Sequence, residues 1–311
     1  MMMMDCHQPH SQTNLTNQLS LIANIIIAIK SIHHICRSAE HPQEHNIPMD
    51  PKIGGNGICR APPLEALLFD IDGTMCVSDP FHHRAFSELL QGLGYNGGAP
   101  ITPEFGMAHM AGRSNEQIGR FLFPDWPQAR LGAFFAEKEA LFARYAGEGL
   151  REVPGLAELC RWARERGLKR AAVTNAPRAN AELMIGILGL ADFFQLVVAG
   201  EDCGEGRSKP CPDPYLRALA LLGASAERSL VFEDSVVGVQ AGVAAGMPVV
   251  AIASESREAK VVAAGASMVV RDYRDAKLWA ALDAAAGAPK IDSELSLSAV
   301  EPPVSVPVEN C

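Results

Sequence analysis

Six short apolar runs, most of them followed by a stretch with helical spacing, constrain this chain more than any other feature. They read as buried strands at 66–69, 171–174, 196–199, 230–232, 249–252 and 268–270. Helical segments at 155–166, 178–188, 212–223, 236–245 and 257–264 separate most of them. Strands that alternate with helices predict an α/β protein with a parallel sheet covered on both faces. One connection breaks the rhythm. About 100 residues lie between the first two runs, and a structureless loop of that length does not belong inside a compact domain. Helical spacing recurs within it at 81–92, 114–122 and 127–147. The excursion therefore predicts an inserted helical domain standing over the end of the first strand, like a lid.

The expected organisation is a core at 61–79 and 151–286 with a helical cap at 80–150. Residues 1–60 differ in kind: they hold six of the nine histidines, at 7, 10, 33, 34, 41 and 45, and open on four methionines. Their most apolar part, Leu21 to Ile29, is too short to span a bilayer. No Lys or Arg precedes Lys30, as a secretory signal would require, and Asp5 intrudes on an organelle presequence. A poorly ordered extension is expected there, with organelle targeting as the weaker alternative. The histidines are irregularly spaced, which favours a solvated tail over a metal site, and Asn14-Leu15-Thr16 is a glycosylation sequon relevant only in a secreted protein. Residues 287–311, with Pro302, Pro303 and Pro307 and no helical period, are expected to form a disordered tail.

Three strand ends and a lysine carry chemistry. Phe69-Asp70-Ile71-Asp72-Gly73-Thr74 follows the first run, and ligands of open parallel sheets bind at the carboxyl ends of strands. The bland alternative is a turn with solvated carboxylates. Val173-Thr174-Asn175-Ala176 offers a hydroxyl, an amide and free helix N–H groups to an anion, or simply a helix cap. Lys209-Pro210-Cys211-Pro212-Asp213-Pro214 fixes a lysine before a stiff turn. Phe232-Glu233-Asp234-Ser235 places two adjacent acids at a buried strand end, which is costly without a cation. Hard oxygen donors suit Mg2+, although Asp234 equally caps a helix. Gly238 and Gly242 are expected to permit close packing of that helix. Together the four motifs converge on one sheet edge, a coincidence that no single one carries.

In this order, Asp-x-Asp-Gly-Thr, Thr-Asn, Lys-Pro and Glu-Asp resemble the haloacid dehalogenase superfamily, whose core is a Rossmann-like parallel sheet. The lid and the Lys-Pro-x-Pro-Asp-Pro string are similar to its β-phosphoglucomutase-like branch, and segments 66–80, 167–184 and 230–249 resemble plant broad-specificity phosphosugar phosphatases. The likeness covers about 61–283 and neither tail. It implies Asp70 as nucleophile and Mg2+ ligand, and Asp72 as general acid then base with its carbonyl on the metal. It implies Thr174 and Asn175 as phosphoryl binders, Lys209 as the bridge between nucleophile and phosphate, and Glu233 with Asp234 completing the metal site. His82, Gly112 and Arg113 fall where the cap meets substrate. One position departs: Val77 stands where the branch has an acid, which puts lid positioning in doubt more than reaction class. Whether Asp79 substitutes for that acid is left open.

The implied activity is a Mg2+-dependent phosphatase acting on pentose and hexose phosphates through an aspartyl-phosphate. A closed lid is expected to raise the Asp72 pKa by desolvation and keep it an acid near neutral pH. The rivals are a mutase with the same core, a phosphatase of glycerol phosphate or flavin mononucleotide, and an idle binding module. A dehalogenase needs neither Asp72 nor the Glu233-Asp234 pair. A phosphonate hydrolase would need a Schiff-base lysine in the cap, and Lys138, the only lysine between 80 and 150, is expected to be solvated between Glu137 and Glu139. The formal net charge of −9 disfavours nucleic-acid partners, and no long apolar stretch suggests a membrane span. Eight cysteines without a CxxC pair fit reduced thiols in the cytoplasm. Small phosphorylated metabolites are the expected partners.

Overall fold

The computed structural model describes residues 63–286. The expected N-terminal extension, with its histidines and sequon, and the tail at 287–311 lie outside the described residues. Six parallel strands form one sheet: β1 (Ala66–Phe69), β2 (Lys169–Val173), β3 (Leu196–Val198), β4 (Ser229–Glu233), β5 (Val249–Ile252) and β6 (Met268–Val270). Their spatial order is β3-β2-β1-β4-β5-β6. This is the α/β, Rossmann-like sheet that the alternation predicts. β1 is central, with Phe69 in register with Ala172 of β2 and Phe232 of β4. The carboxyl ends of β1, β2 and β4 therefore emerge side by side.

Strand pleating sends alternate side chains to opposite faces. Leu67 and Phe69 enter one core with α5 (Leu156–Glu165), α6 (Arg178–Ile187) and α10 (Ala276–Ala286). Ala66 and Leu68 enter the other with α7 (Asp213–Leu222), α8 (Val236–Ala244) and α9 (Glu255–Ala263). Both faces of β1 are apolar because both are covered.

The excursion after β1 holds α1 (Asp79–Gly92), α2 (Pro103–His109), α3 (Asn115–Leu122) and α4 (Gln128–Gly149). It has its own core of Phe86, Leu90, Ile118, Leu122, Phe134 and Phe135. α4 is 22 residues long, and its two halves enter different cores. Phe134 and Phe135 pack in the cap, whereas Phe142, Tyr145 and Ala146 join the main core. The two chain crossings run together: Val77 N donates to Arg151 O and Val153 N to Met75 O. The short helix α2 was not anticipated, since seven residues carry too little periodicity; Thr102 caps it by accepting from Phe105 N. Nor was α10, an alanine-rich helix near the end of the described chain. Among the described residues, no helix is long and apolar enough to cross a membrane.

Candidate active site

The core end of the site is a saturated lysine. Lys209 is 1% exposed, and its Nζ donates to Asp70 Oδ1 at 2.6 Å, Glu233 Oε1 at 2.6 Å and Val173 O at 2.7 Å. Three donors meet three acceptors, the arrangement a buried ammonium requires. Burial alone would lower its pKa, but Asp70 and Glu233 outweigh burial and raise it. Glu233 is as fully engaged. Its Oε1 also accepts from Tyr215 O–H at 2.9 Å, and its Oε2 accepts from Asp234 N, Ser235 N and Ser235 O–H.

Asp70, Glu233 and Asp234 each offer an oxygen within 4.8 Å of the others. Burial, with Glu233, Asp234 and Asp72 nearby, drives the Asp70 pKa well above the ordinary value, and Lys209 only partly offsets it. Asp234 is also raised by burial and by Asp79, against the pull of Arg257, whose Nη1 lies 2.8 Å from its Oδ2. The cluster is thus short of positive charge and built of hard oxygen donors, which fits a Mg2+ ion. Gly73 makes the approach possible: its φ is +75°, and a Cβ there would sit 2.3 Å from Asp234 Oδ2.

Thr174 and Asn175 end β2 beside this cluster. Thr174 Oγ1 accepts from Ala176 N at 3.0 Å. Asn175 accepts from Lys209 N at 3.0 Å, while its Nδ2 donates to Lys209 O at 3.3 Å and to Gly112 O at 2.9 Å. It therefore ties the lysine segment to the cap. Gly112 is where the cap touches the core, since a Cβ there would lie 2.6 Å from Ser235 Oγ.

The cap end turns on His82. Its Nε2 lies 2.8 Å from Asp72 Oδ1, its ring stacks on Phe142 at 3.9 Å, and Lys138 Nζ lies 2.9 Å from Nδ1. An ammonium only donates, so Nδ1 accepts and the ring proton sits on Nε2, facing Asp72. Two expectations need correction here. Lys138 is buried, not solvated: it is 3% exposed and pairs with Glu139 Oε2 at 3.0 Å. Helical geometry explains this, because position 138 shares the inward face of α4 with Phe134, Phe135 and Phe142. The Asp72 carboxyl is held below its ordinary value, not above it. Burial does push it up, but the pairing with His82, with Lys138 behind, outweighs burial. Glu139 closes the network, accepting from Asn115 at 2.7 Å and from Asn180 of the core at 2.6 Å.

Between the two ends lies a cavity of about 400 Å³ lined by Asp70, Asp72, Thr174, Asn175 and Asp234 from the core and by His82, Gly112, Arg113, Lys138 and Glu139 from the cap. The N–H of Arg113 donates to Met110 O at 3.1 Å, while its guanidinium makes no hydrogen bond or ion pair with another described residue. Sequence reasoning missed Glu139, Tyr215 and Arg257, and misassigned the room at Gly238. A Cβ on Gly238 would lie 1.8 Å from Glu233 Oε1, so this glycine makes space for a site carboxylate. Gly242 does pack closely as expected, 2.8 Å from Val249 Cγ2 for an added Cβ. The Lys138 placement was available from the spacing of the α4 phenylalanines; the Gly238 contact had no sequence signal.

A family model described as haloacid dehalogenase-like hydrolase matches residues 64–246. The protein CbbY of Rhodobacter capsulatus is 32% identical over 203 residues, covering 62% of this chain and 86% of that protein. The phosphorylated carbohydrates phosphatase of Thermotoga maritima is 28% identical, with 59% of this chain and 82% of the relative covered. The crystal structure of CbbY from Rhodobacter sphaeroides with xylulose-(1,5)bisphosphate superposes with a TM-score of 0.62 at 27% identity, covering 70% of this chain and 99% of that one.

Proposed function

The chain belongs to the haloacid dehalogenase-like hydrolases, and from that premise we propose a Mg2+-dependent phosphatase of small sugar phosphates, working through an aspartyl-phosphate on Asp70. The reaction class is hydrolysis of phosphoric monoesters, as in its phosphatase relatives. The observation that carries the reading is the meeting of Asp70, Lys209 and Asp234 in one buried cluster, opposite a cap that brings His82 onto Asp72.

In the proposed reaction an Asp70 carboxylate oxygen attacks phosphorus, and the ester P–O bond breaks as Asp72 gives its proton to the leaving oxygen. Asp72 then removes a proton from water, which attacks the phosphoryl group and frees Asp70. Asp70, the Asp72 carbonyl and Asp234, with Glu233, would hold Mg2+, which would supply charge neutralisation between the nucleophile and the incoming phosphate. Lys209 holds Asp70 in place, and Glu233 holds Lys209. Thr174, Asn175 and Arg113 stand where phosphoryl and substrate oxygens would enter. The resting pair His82–Asp72 keeps Asp72 ionised, the form that activates water. A phosphate dianion entering beside it raises its pKa, so the acid form arises with substrate.

The substrate class follows from the walls. The cavity has the size of a small-ligand site. One wall is polar, with His82, Lys138, Glu139 and Asn115; the cap also contributes Phe86, Met107, Met110 and Ile118. Sugars present both hydroxyls and C–H faces, which such walls can match. We assign the protein to the cytoplasm, supported by Cys76, Cys160, Cys203 and Cys211 standing as free thiols.

The test is phosphate release by the full chain from pentose and hexose phosphates, glycerol phosphate and flavin mononucleotide, with Mg2+ and with EDTA. Mg2+-dependent release from several sugar phosphates is expected. A folded, Mg2+-loaded protein that releases none refutes the reading, and isomerised sugar in the presence of a bisphosphate assigns a mutase instead.

A further inference from the structure

Gln117 sits at the third position of α3 and makes two hydrogen bonds with opposite ends of one amide. Its Oε1 accepts from Ser114 N at 3.0 Å, while Ser114 Oγ accepts from Gln117 N at 3.3 Å, a reciprocal capping box that starts the helix. Its Nε2 crosses from cap to core and donates to Lys209 O at 3.1 Å. The first bond is local to the helix. The second grips the peptide of the residue whose Nζ bridges Asp70 and Glu233. Asn175 joins the same point, donating to both Gly112 O of the cap and Lys209 O.

From this we propose that Gln117 is a positioning residue that couples docking of the cap to the placement of Lys209. The inference rests on the phosphatase reading only for the role of Lys209. When α3 is seated, the Lys209 carbonyl has donors from both domains, and the backbone that carries the ammonium is held on both sides. When α3 lifts, that carbonyl loses its cap donor and Asn175 loses Gly112. Closure of the lid and immobilisation of the lysine are then one event, sensed at a main-chain oxygen. The neighbouring cap–core pair Arg120–Glu205, at 3.1 Å, joins two side chains that are 67% and 80% exposed, so screening leaves it little strength. Gln117 is only part-exposed and forms the specific contact.

One isosteric substitution separates the two bonds. Gln117→Glu keeps an oxygen for Ser114 N, so the capping box survives, but replaces the donor that faces Lys209 O with an acceptor. Gln117→Ala loses both. Three measurements are made on the full chain: melting temperature, hydrogen exchange by mass spectrometry of the peptide covering 204–213, and kcat and KM on whichever phosphate ester the unsubstituted protein turns over. For Gln117→Glu we expect a melting temperature within about 1 °C of the unsubstituted protein, faster exchange at 204–213, and kcat/KM reduced about fivefold to tenfold. Gln117→Ala should show the same exchange and rate changes with a melting temperature about 2–4 °C lower. A Gln117→Glu protein that exchanges or turns over like the unsubstituted one overturns the proposal and leaves Gln117 as a helix cap. If the phosphatase reading fails, the unsubstituted protein shows no turnover, and the exchange result alone decides the coupling.

Discussion

The two ends of the cavity are charged in different ways. At the core end, charge sits on strand ends: Asp70 closes β1, Glu233 and Asp234 close β4, and Lys209 is locked between them by three acceptors. At the cap end, charge sits on the inward face of one long helix, where Lys138 and Glu139 lie between the Phe134-Phe135 pair and Phe142. Strand ends are fixed by a six-stranded ladder, so the core pole is a rigid anchor. The cap pole reaches the core through side chains, His82 onto Asp72 and Asn180 onto Glu139. Substitutions at the core end should therefore remove chemistry, and those at the cap end should tune it.

The largest effect belongs to Asp70→Asn. It removes the nucleophile yet keeps an oxygen for Lys209, so folding should persist while turnover falls by about 10³-fold or more. Phosphate release checks this, with mass spectrometry to exclude deamidation; an active, undeamidated variant removes Asp70 from its role. The next contrast lies within one helix of the core end. Gly238→Ala drives a Cβ into the Glu233 carboxylate, which must move and release Lys209. A misplacement of about 1 Å costs on the order of 10²-fold in rate, and no gain in helix propensity offsets it. Gly242→Ala meets the buried side chains of Val249 (2.8 Å) and Val231 (3.3 Å) and no site group, so it should cost about 1–3 kcal/mol of stability with kcat unchanged. Equal kinetic losses in the two variants would erase the distinction between space for packing and space for the site.

That contrast also explains what the sequence revealed. The core pole was legible because Asp70 and Glu233 directly end apolar runs that the parallel topology forces together, and because the prolines after Lys209 mark its segment. All six strands were found in this way, with boundaries shifted by a residue or two at β2, β3 and β4. The cap pole was not, because a Glu-Lys-Glu string reads as a solvated face unless its register against Phe134 and Phe142 is weighed. Gly238 was opaque for another reason: its neighbour is a carboxylate from the preceding strand, and no local pattern encodes that approach. The sign of the Asp72 shift was missed because burial was counted and the His82–Lys138 pair was not.

At the cap end, Lys138→Met keeps the volume but removes the donor to His82 Nδ1. The imidazole is then free to adopt either tautomer, and Asp72 loses a nearby positive charge. We expect kcat/KM to fall about tenfold, and stability by about 1–3 kcal/mol, since Glu139 keeps Asn115 and Asn180. Kinetics and urea denaturation measure both. A loss as deep as that of Asp70→Asn would make the cap pole part of the chemistry and break the division between anchor and tuner.

The smallest effect is expected at Val77, the position where the family resemblance implies an acid. Its side chain is 48% exposed and does not line the cavity, while its N–H is held by Arg151 O in the paired crossing between core and cap. The crossing is thus fixed by main-chain bonds that any residue except proline supplies. Asp79, two residues on, does line the cavity and lies 3.9 Å from Arg257, which itself holds Asp234. Val77→Asp adds an acid to a site already short of positive charge, but at an exposed point where solvent screens it. Its kcat/KM should stay within about threefold of the unsubstituted protein, less than the ~1 kcal/mol that one hydrogen bond is worth. A gain of tenfold or more would mean that an acid at 77 organises the crossing in a way the Val77–Arg151 bond does not, and would make the linker a third determinant beside the two poles.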